Sequence, residues 1–306
     1  MTKEITLANL KRDIDGIPKA SIVKELDGII KGWLDQCGLF YKLFVRVKKS
    51  ESIWDKWSRK VVEKGLDYRM QDLVGVRIVV YFKDDIPLCE EIIRNKLHVI
   101  EAVKDEPDAE HFSPQRINYV CKLPDKMIDI FDDGVWEYPF DKTFEIQIRT
   151  VFSEGWHEVE HDFRYKCKDE WIHVEDLNRA MNGVFATLEN CDWTLARILH
   201  QMAYHQYKEK QWISMLKNVL LVRISDCKDM EQIIQCLDNN PELAKAFFRM
   251  NRTEFLLKLS GLPNGIPLRM VNIVYLINAW EIHNEEISRL TPEYINQIVE
   301  SPKVRC

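Results

Sequence analysis

The sequence predicts an α+β chain. A mixed five-stranded sheet flanked by helices occupies residues 1–172, and an all-helical region follows over residues 173–306. Three observations carry this expectation. Five short segments alternate apolar and polar residues, as half-buried strands do. Apolar residues at helical spacing separate the early ones. Beyond about residue 173 only the helical period remains.

In chain order, Ile22, Leu26, Ile29, Ile30 and Leu34 share one face of a helix over 20–36. YKLFVRVK (41–48) alternates as a strand, with Lys42, Arg46 and Lys48 on its polar face. SESIWDKWSRKVVEKG (50–65) reads as a helix capped by Ser50. Its Ser52, Lys56 and Lys60 stack at four-residue spacing. After Asp72 and Gly75, an apolar strand runs from Val76 to Phe82, interrupted only by Arg77. DDIPLCEEIIRNKL reads as a helix, HVIEAVKDE and INYVCKLP as strands, with polar loops before and after INYVCKLP. TFEIQIRT (143–150) is the fifth strand, with Glu145, Gln147 and Arg149 on one face, and it runs almost directly into a helix carrying Phe152, Trp156, Val159 and Phe163. The polar face of this last strand is expected near the C-terminal end of the second, bringing Glu145 within reach of Asp72. The rest reads as helices: about 174–205, then ISMLKNVLLVRI, MEQIIQCL, PELAKAFFRM, TEFLLKL, IPLRMVNIVYLINAWEI and TPEYINQIV.

Composition narrows the classes. The 306 residues carry a net charge of −6, so no global basic excess announces a nucleic-acid binder, although local basic patches still hold phosphates. No apolar run reaches membrane-spanning length, and MTKEITLANLKRDIDG is too polar for a signal peptide, so no membrane association is expected. Eight scattered cysteines without a CxxC pair argue against a zinc cluster or disulfide framework and fit a reducing cytoplasm. His157 with His161, and His200 with His205, have metal-like spacings. No further ligand is placed beside either pair, and a surface or core histidine is the ordinary reading.

The chemistry-bearing residues converge by type. Cations from a strand and from the following helix meet at that helix's N-terminus, a good place for phosphates, although a solvated basic face is the commoner fate of any one lysine. An arginine inside the apolar run at 76–82 is costly unless it faces a polar site. Asp72 and Glu145 are two carboxylates suited to share a Mg²⁺ ion, and Arg46, Lys48, Lys56 and Arg77 suit a polyphosphate and a base. Glu145 is also a candidate base for an attacking hydroxyl. Such a set serves phosphoryl-type transfer, which runs on positioning and charge neutralisation.

RVKKSESIWDK, DLVGVRI, FEIQIRT and EHDFRYK, in this order, resemble the synthetase domain of the RelA/SpoT alarmone synthetases, most nearly the small single-domain members. The likeness covers roughly residues 20–168. It implies a nucleotidyltransferase-like fold and an ATP-dependent pyrophosphokinase, a GTP diphosphokinase-like enzyme that moves the β,γ-pyrophosphate of ATP to the 3′-hydroxyl of an acceptor nucleotide with Mg²⁺. By position it implies that Arg46 and Arg77 sandwich the adenine and that Lys48, Ser52 and Lys56 take the ATP phosphates. It likewise implies that Asp72 holds the metal and that Glu145 activates the hydroxyl and touches the metal. Gln147 and Arg149 line the acceptor side. His161 and Lys166 belong to the family's EHxxxYK signature, where packing is an equal role.

One family motif departs. Where most members carry a Gly-Tyr-Lys/Arg-Ser-x-His loop, this chain has SPQRIN (113–118), with Pro114 in place of the Tyr and Asn118 in place of the His. Phe112 is a candidate substitute aromatic, and Glu154 a candidate reader of the guanine edge. GDP or GTP is the default acceptor. A toxin-like member acting on the tRNA 3′ end or an adenine nucleotide, and an ATP-binding regulator without turnover, are the alternatives. The helical region resembles no hydrolase domain. It is expected to serve regulation, homo-oligomer formation or a regulatory protein partner.

Overall fold

The computed structural model describes residues 11–12, 19–65, 68–105, 116–128, 140–262 and 266–300. The first part alternates strands and helices: α1 (Lys19–Gln36), β1 (Tyr41–Val47), α2 (Ser50–Lys64), β2 (Val74–Val80), α3 (Asp85–Lys96), β3 (Val99–Lys104), β4 (Ile117–Lys122), a single turn α4 (Asp125–Ile128) and β5 (Thr143–Thr150). The strands form one five-stranded sheet in the order β1-β2-β5-β4-β3. The Lys48 N–H donates to the Leu73 carbonyl and the Tyr81 N–H to the Phe40 carbonyl, so β1 and β2 run antiparallel. A parallel bridge between Met70 and Phe140 sets β2 and β5 in the same direction. β5–β4 and β4–β3 are antiparallel. The sheet is mixed, as expected.

The alternation has a direct packing consequence. Val74, Val76 and Ile78 of β2, Phe144, Ile146 and Ile148 of β5, and Tyr119 and Cys121 of β4 are buried. Burying a side chain of this size stabilises by about 1.5–3 kcal/mol. The intervening Gly75, Arg77, Glu145, Gln147, Arg149 and Asn118 are only half-buried, so the sheet has one apolar and one polar face.

The second part is helical: α5 (Val151–Glu160), a π-helical turn (His161–Tyr165), a 3₁₀ turn (Lys168–Trp171), α6 (Glu175–Lys208), α7 (Trp212–Leu220), α8 (Glu231–Asn239), α9 (Pro241–Phe248), α10 (Arg252–Ser260), α11 (Met270–Ile277), α12 (Glu285–Leu290) and α13 (Glu293–Glu300). Thr150 ends β5 and caps α5: its Oγ1 accepts from the Ser153 N–H at 3.1 Å and donates to the buried Asp192 at 2.8 Å.

The chain forms two compact units, each drawn from separate stretches of the sequence. One comprises Met1–Lys31, Lys42–Val79 and Ile93–Arg149; the other comprises Gly32–Tyr41, Val80–Ile92 and Thr150–Cys306. The sequence reading divides the chain once, at 172/173. Specific contacts within the second unit account for its two early pieces. Gly38, at φ 68°, sits so close to Leu268 and the Arg223 carbonyl that a Cβ would meet them at 2.9 and 3.1 Å, and its own carbonyl accepts the Arg223 N–H at 2.7 Å. Asp85, fully buried, receives the Arg252 guanidinium at 2.6 Å, and Arg252 also donates to the Leu220 carbonyl at 2.6 Å.

Four local expectations are corrected. Ser50 is the first residue of α2 and not its cap; Lys49 precedes the helix with no side-chain bond, and the Ser50 hydroxyl donates to Glu51 at 3.2 Å. Helix α7 stops at Leu220, because Leu221 turns left-handed (φ 49°), and Val222–Ile224 leave the helix. The short α12, capped by Asn284, was not foreseen. Because β2 and β5 are parallel, with Thr143 Oγ1 donating to the Gln71 carbonyl at 2.9 Å, Glu145 lies by the start of β2 and not its C-terminal end.

Candidate active site

The polar sheet face is built around a residue with no side chain. The β1–β2 register sets Arg46 opposite Gly75 and Phe44 opposite Arg77. On the other flank the offset between β2 and β5 sets Glu145 beside Gly75 and Gln147 beside Arg77, whose Nε donates to Gln147 Oε1 at 3.3 Å. Nothing lies within 4 Å of where a Gly75 Cβ would stand. The result is a notch with a backbone floor, an arginine on one wall and a carboxylate on the other.

Asp72 stands at the entrance to β2, 5 % exposed. Lys48, just past the end of β1, and Lys56, on the second turn of α2, both donate to its Oδ2. Burial works to raise the Asp72 carboxyl, but the two ammonium charges and their hydrogen bonds outweigh it and hold the group below its ordinary value. Burial dominates at Lys48 and lowers its pKa against the pull of Asp72. At Lys56 burial is outweighed by Asp72, and its pKa is raised. Glu145 adds an attractive charge to both lysines, which places it in electrostatic range of the pair. Two ammoniums on one carboxylate oxygen leave the cluster one positive charge in excess, a setting that favours an anion.

Glu145 is held by its neighbours. Its Oε1 accepts from Asn118 Nδ2 at 2.7 Å and from Gln147 Nε2 at 3.0 Å. Bonds therefore link Arg77 on β2, Gln147 and Glu145 on β5 and Asn118 on β4 across three adjacent strands, and a carboxylate so oriented is suited to accept a proton at a defined place.

The structure brings Lys48, Lys56 and Asp72 into one cluster, and Arg77, Gln147, Glu145 and Asn118 into one network. Asn118 donates directly to the Glu145 carboxylate. Arg46 is exposed on the wall of the notch. Ser52 is exposed in the first turn of α2, where the helix's free N–H groups lie. Lys60, expected to stack with Lys56, holds Glu63 at 2.6 Å instead. Arg149 ends the polar file of β5, half-buried. Glu154 is half-buried in the first turn of α5, in the other compact unit. His161 stacks on Tyr165 and bonds Asp162 at 3.0 Å, and Lys166 also holds Asp162 at 2.7 Å, all exposed. Phe112 and residues 113–115 of the departing loop lie outside the described residues.

Two residues escaped sequence reasoning. Phe44 is half exposed on the polar face, and strand alternation alone places it in file with Lys42 and Arg46. Tyr68 lies beside Lys56: burial raises its phenol, while the Lys56 charge opposes the rise. No sequence pattern marks it.

One atom bears on a metal. Asp72 Oδ1 is buried without a hydrogen-bond partner, although the other oxygen of the same carboxylate has two. An orphaned anionic oxygen on a carboxylate that also holds two lysines fits a hard divalent cation such as Mg²⁺, which binds through one or two carboxylates plus phosphate oxygens and water. Among the described residues no three of His, Cys, Asp or Glu are grouped so as to hold a metal ion without such help.

Residues 45–170 match the family described as "Region found in RelA / SpoT proteins". The chain is 28 % identical over 121 residues to GTP pyrophosphokinase YjbM of Bacillus subtilis (strain 168), a match covering 40 % of this chain and 54 % of that protein. The chain thus spans about half the length of the curated relative it matches. It is also similar to the crystal structure of small alarmone synthetase 1 from Bacillus subtilis, at 22 % identity and TM-score 0.45 over 58 % of this chain and 90 % of that one. The same synthetase bound to its product pppGpp matches at 24 % identity and TM-score 0.45, over 60 % and 93 %.

Proposed function

We propose that this chain, which carries a RelA/SpoT region over residues 45–170, is a pyrophosphotransferase that moves the β,γ-pyrophosphate of ATP to the 3′-hydroxyl of a guanosine di- or triphosphate. The observation that carries the proposal is the cluster at Asp72. One carboxylate oxygen gathers two lysines from different elements, the other is buried without a partner, and an anchored second carboxylate lies in electrostatic range. Guanine as the acceptor base is supported by the relative named a GTP pyrophosphokinase.

In this reading Arg46 and Arg77 hold the adenine over the notch at Gly75 by cation–π stacking. Lys48, Lys56, Ser52 and the N-terminal N–H groups of α2 take the triphosphate. Asp72 and Glu145 would hold Mg²⁺, which would supply charge neutralisation to the bound phosphates. Gln147 and Arg149 line the acceptor side. Glu145 takes the proton from the acceptor 3′-hydroxyl as its oxygen attacks the β-phosphorus. A new P–O bond forms there, the bond from the β-phosphorus to the α,β-bridging oxygen breaks, and AMP leaves with the electron pair. The fixed amides of Asn118 and Gln147 orient the base, so the chemistry rests on positioning.

The test offers purified protein Mg²⁺ and γ-labelled ATP with GDP, GTP, ADP or bulk tRNA in separate reactions. Label on GDP or GTP is the expected result. Label on tRNA or ADP would keep the chemistry and overturn the acceptor. ATP binding without transfer to any acceptor would overturn the enzyme reading itself.

A further inference from the structure

One side chain beside the Gly75 notch has no part in the proposed reaction. The β1–β2 register pairs Arg46 with Gly75 and Phe44 with Arg77, so these four residues stand at the corners of one cell of the sheet's polar face. Paired residues are about 5.5 Å apart at Cα, and next-but-one residues along a strand about 6.8 Å. Arg46 and Arg77 take one pair of opposite corners, Gly75 and Phe44 the other.

Phe44 is out of keeping with its surroundings. It is 51 % exposed, on an edge strand whose other side chains on that face are Lys42 and Arg46. Leu43, Val45 and Val47, on the opposite face, are half-buried. Arg77 leans toward β5, where its Nε donates to Gln147 at 3.3 Å. Among the described residues the Phe44 ring makes no contact with another ring or with a cation. A single exposed apolar side chain is ordinary on a protein surface, so the exposure alone says little. Its corner of the cell says more.

A base held between two guanidinium groups lies with its plane across the line that joins them. Here that line follows the Arg46–Arg77 diagonal, so the base extends along the other diagonal, from Gly75 toward Phe44. The glycine leaves room at one end, because nothing lies within 4 Å of where its Cβ would stand. At the other end the base edge meets the phenylalanine, across a diagonal of about 7–8 Å that an aromatic side chain spans. Edge-to-face is a favoured arrangement of two aromatic systems. The ring offers no hydrogen bond, so it rewards reach and not a particular set of donors and acceptors. The two fused rings of a purine reach further along the diagonal than the single ring of a pyrimidine. We propose, on the reading that the base of ATP lies over Gly75, that Phe44 is a further donor-binding residue whose ring meets the far edge of the base and selects purine over pyrimidine nucleoside triphosphates.

The experiment is equilibrium dialysis of the full chain with Mg²⁺ and ATP, CTP or inorganic tripolyphosphate, without any acceptor. The wild type should hold ATP more tightly than CTP or tripolyphosphate. Phe44→Ala should weaken ATP binding about fivefold or more, the order that one aromatic contact is worth. CTP and tripolyphosphate do not reach Phe44, and their binding should change by less than about twofold. Phe44→Tyr, which keeps the ring, should bind all three as the wild type does. Phe163→Ala, which removes an exposed phenylalanine from the other compact unit, should change none of them. Circular dichroism and thermal unfolding check the fold of every variant. Should Phe44→Ala fail to fold, Phe44→Thr, β-branched as strands favour, replaces it with the same expected loss. Unchanged ATP affinity in the variant, or ATP weakened no more than CTP or tripolyphosphate, would overturn the role of Phe44 while leaving the donor site in place. A wild type that binds ATP no more tightly than tripolyphosphate would overturn the base site itself, and the donor reading with it.

Discussion

Two ammonium groups on one carboxylate oxygen make Asp72 a residue with two separable duties, anchoring Lys48 and Lys56 and offering its free oxygen. Asp72→Asn keeps the size of the side chain and removes its charge. It should lower transfer by at least a hundredfold, the order expected where a charge-stabilising group is lost at a transfer site. Glu145→Gln should lower transfer at least as far, through loss of the proton acceptor, while ATP affinity stays within a few-fold of wild type. Equilibrium binding and turnover measured side by side check both variants. Lys48 adds a pH signature. Its pKa is lowered by burial, so the free protein loses this positive charge below the ordinary lysine value of 10.5 as pH rises. The kcat/KM for ATP should therefore fall on an alkaline limb below that value. In Lys48→Arg, which keeps its charge, the limb should move upward. An unchanged limb would remove Lys48 from ATP binding.

At the scale of elements, the site depends on register. Gly75 makes a notch only because β1 brings Arg46 and β5 brings Glu145 to its two sides. A Cβ at Gly75 meets no atom within 4 Å, so Gly75→Val should fold with little change in thermal stability. The added methyls would fill the notch, and ATP affinity should fall by tenfold or more, as a titration with a fluorescent ATP analogue would register. Normal affinity would place the base elsewhere. The strands themselves were legible, because Phe144, Ile146 and Ile148 alternate strictly with Glu145, Gln147 and Arg149. The residue types of the site were legible for the same reason. That Lys48 and Lys56 share one oxygen, or that Asn118 bonds Glu145, was not, since both facts require strands distant in sequence to be set side by side. The six-residue α12 was missed because one and a half turns carry too little periodicity.

At the scale of the whole molecule, contacts distant in sequence assign early pieces of the chain to the helical unit, and no local pattern reveals them. Arg252 and Asp85 are 167 positions apart, yet the carboxylate is fully buried against the guanidinium. Arg252→Ala would leave that carboxylate buried and unpaired, at a cost of about 3–5 kcal/mol. The pH dependence has a definite sign. Burial raises the folded Asp85 pKa above the unfolded value near 3.8, against the pull of Arg252. Losing Arg252 raises it further, and the native form then binds the proton more tightly than the unfolded chain does. The deficit of the variant should be largest at neutral pH and should shrink as pH falls through the raised folded value. Chemical denaturation at several pH values checks this; a deficit that grows toward acid would mean that Asp85 is not the group left unpaired.

The proposed reaction is attack at the β-phosphorus of ATP by a hydroxyl that Glu145 deprotonates. Phosphorus NMR of the reaction with Mg²⁺, ATP and GDP follows every phosphate at once. The expected spectrum gains AMP and a new pyrophosphate on the 3′ position of the acceptor, in equal amounts, and the Glu145→Gln protein leaves it unchanged. Release of ADP or inorganic phosphate in place of AMP, or equal turnover by the Glu145→Gln protein, would rule out that reaction.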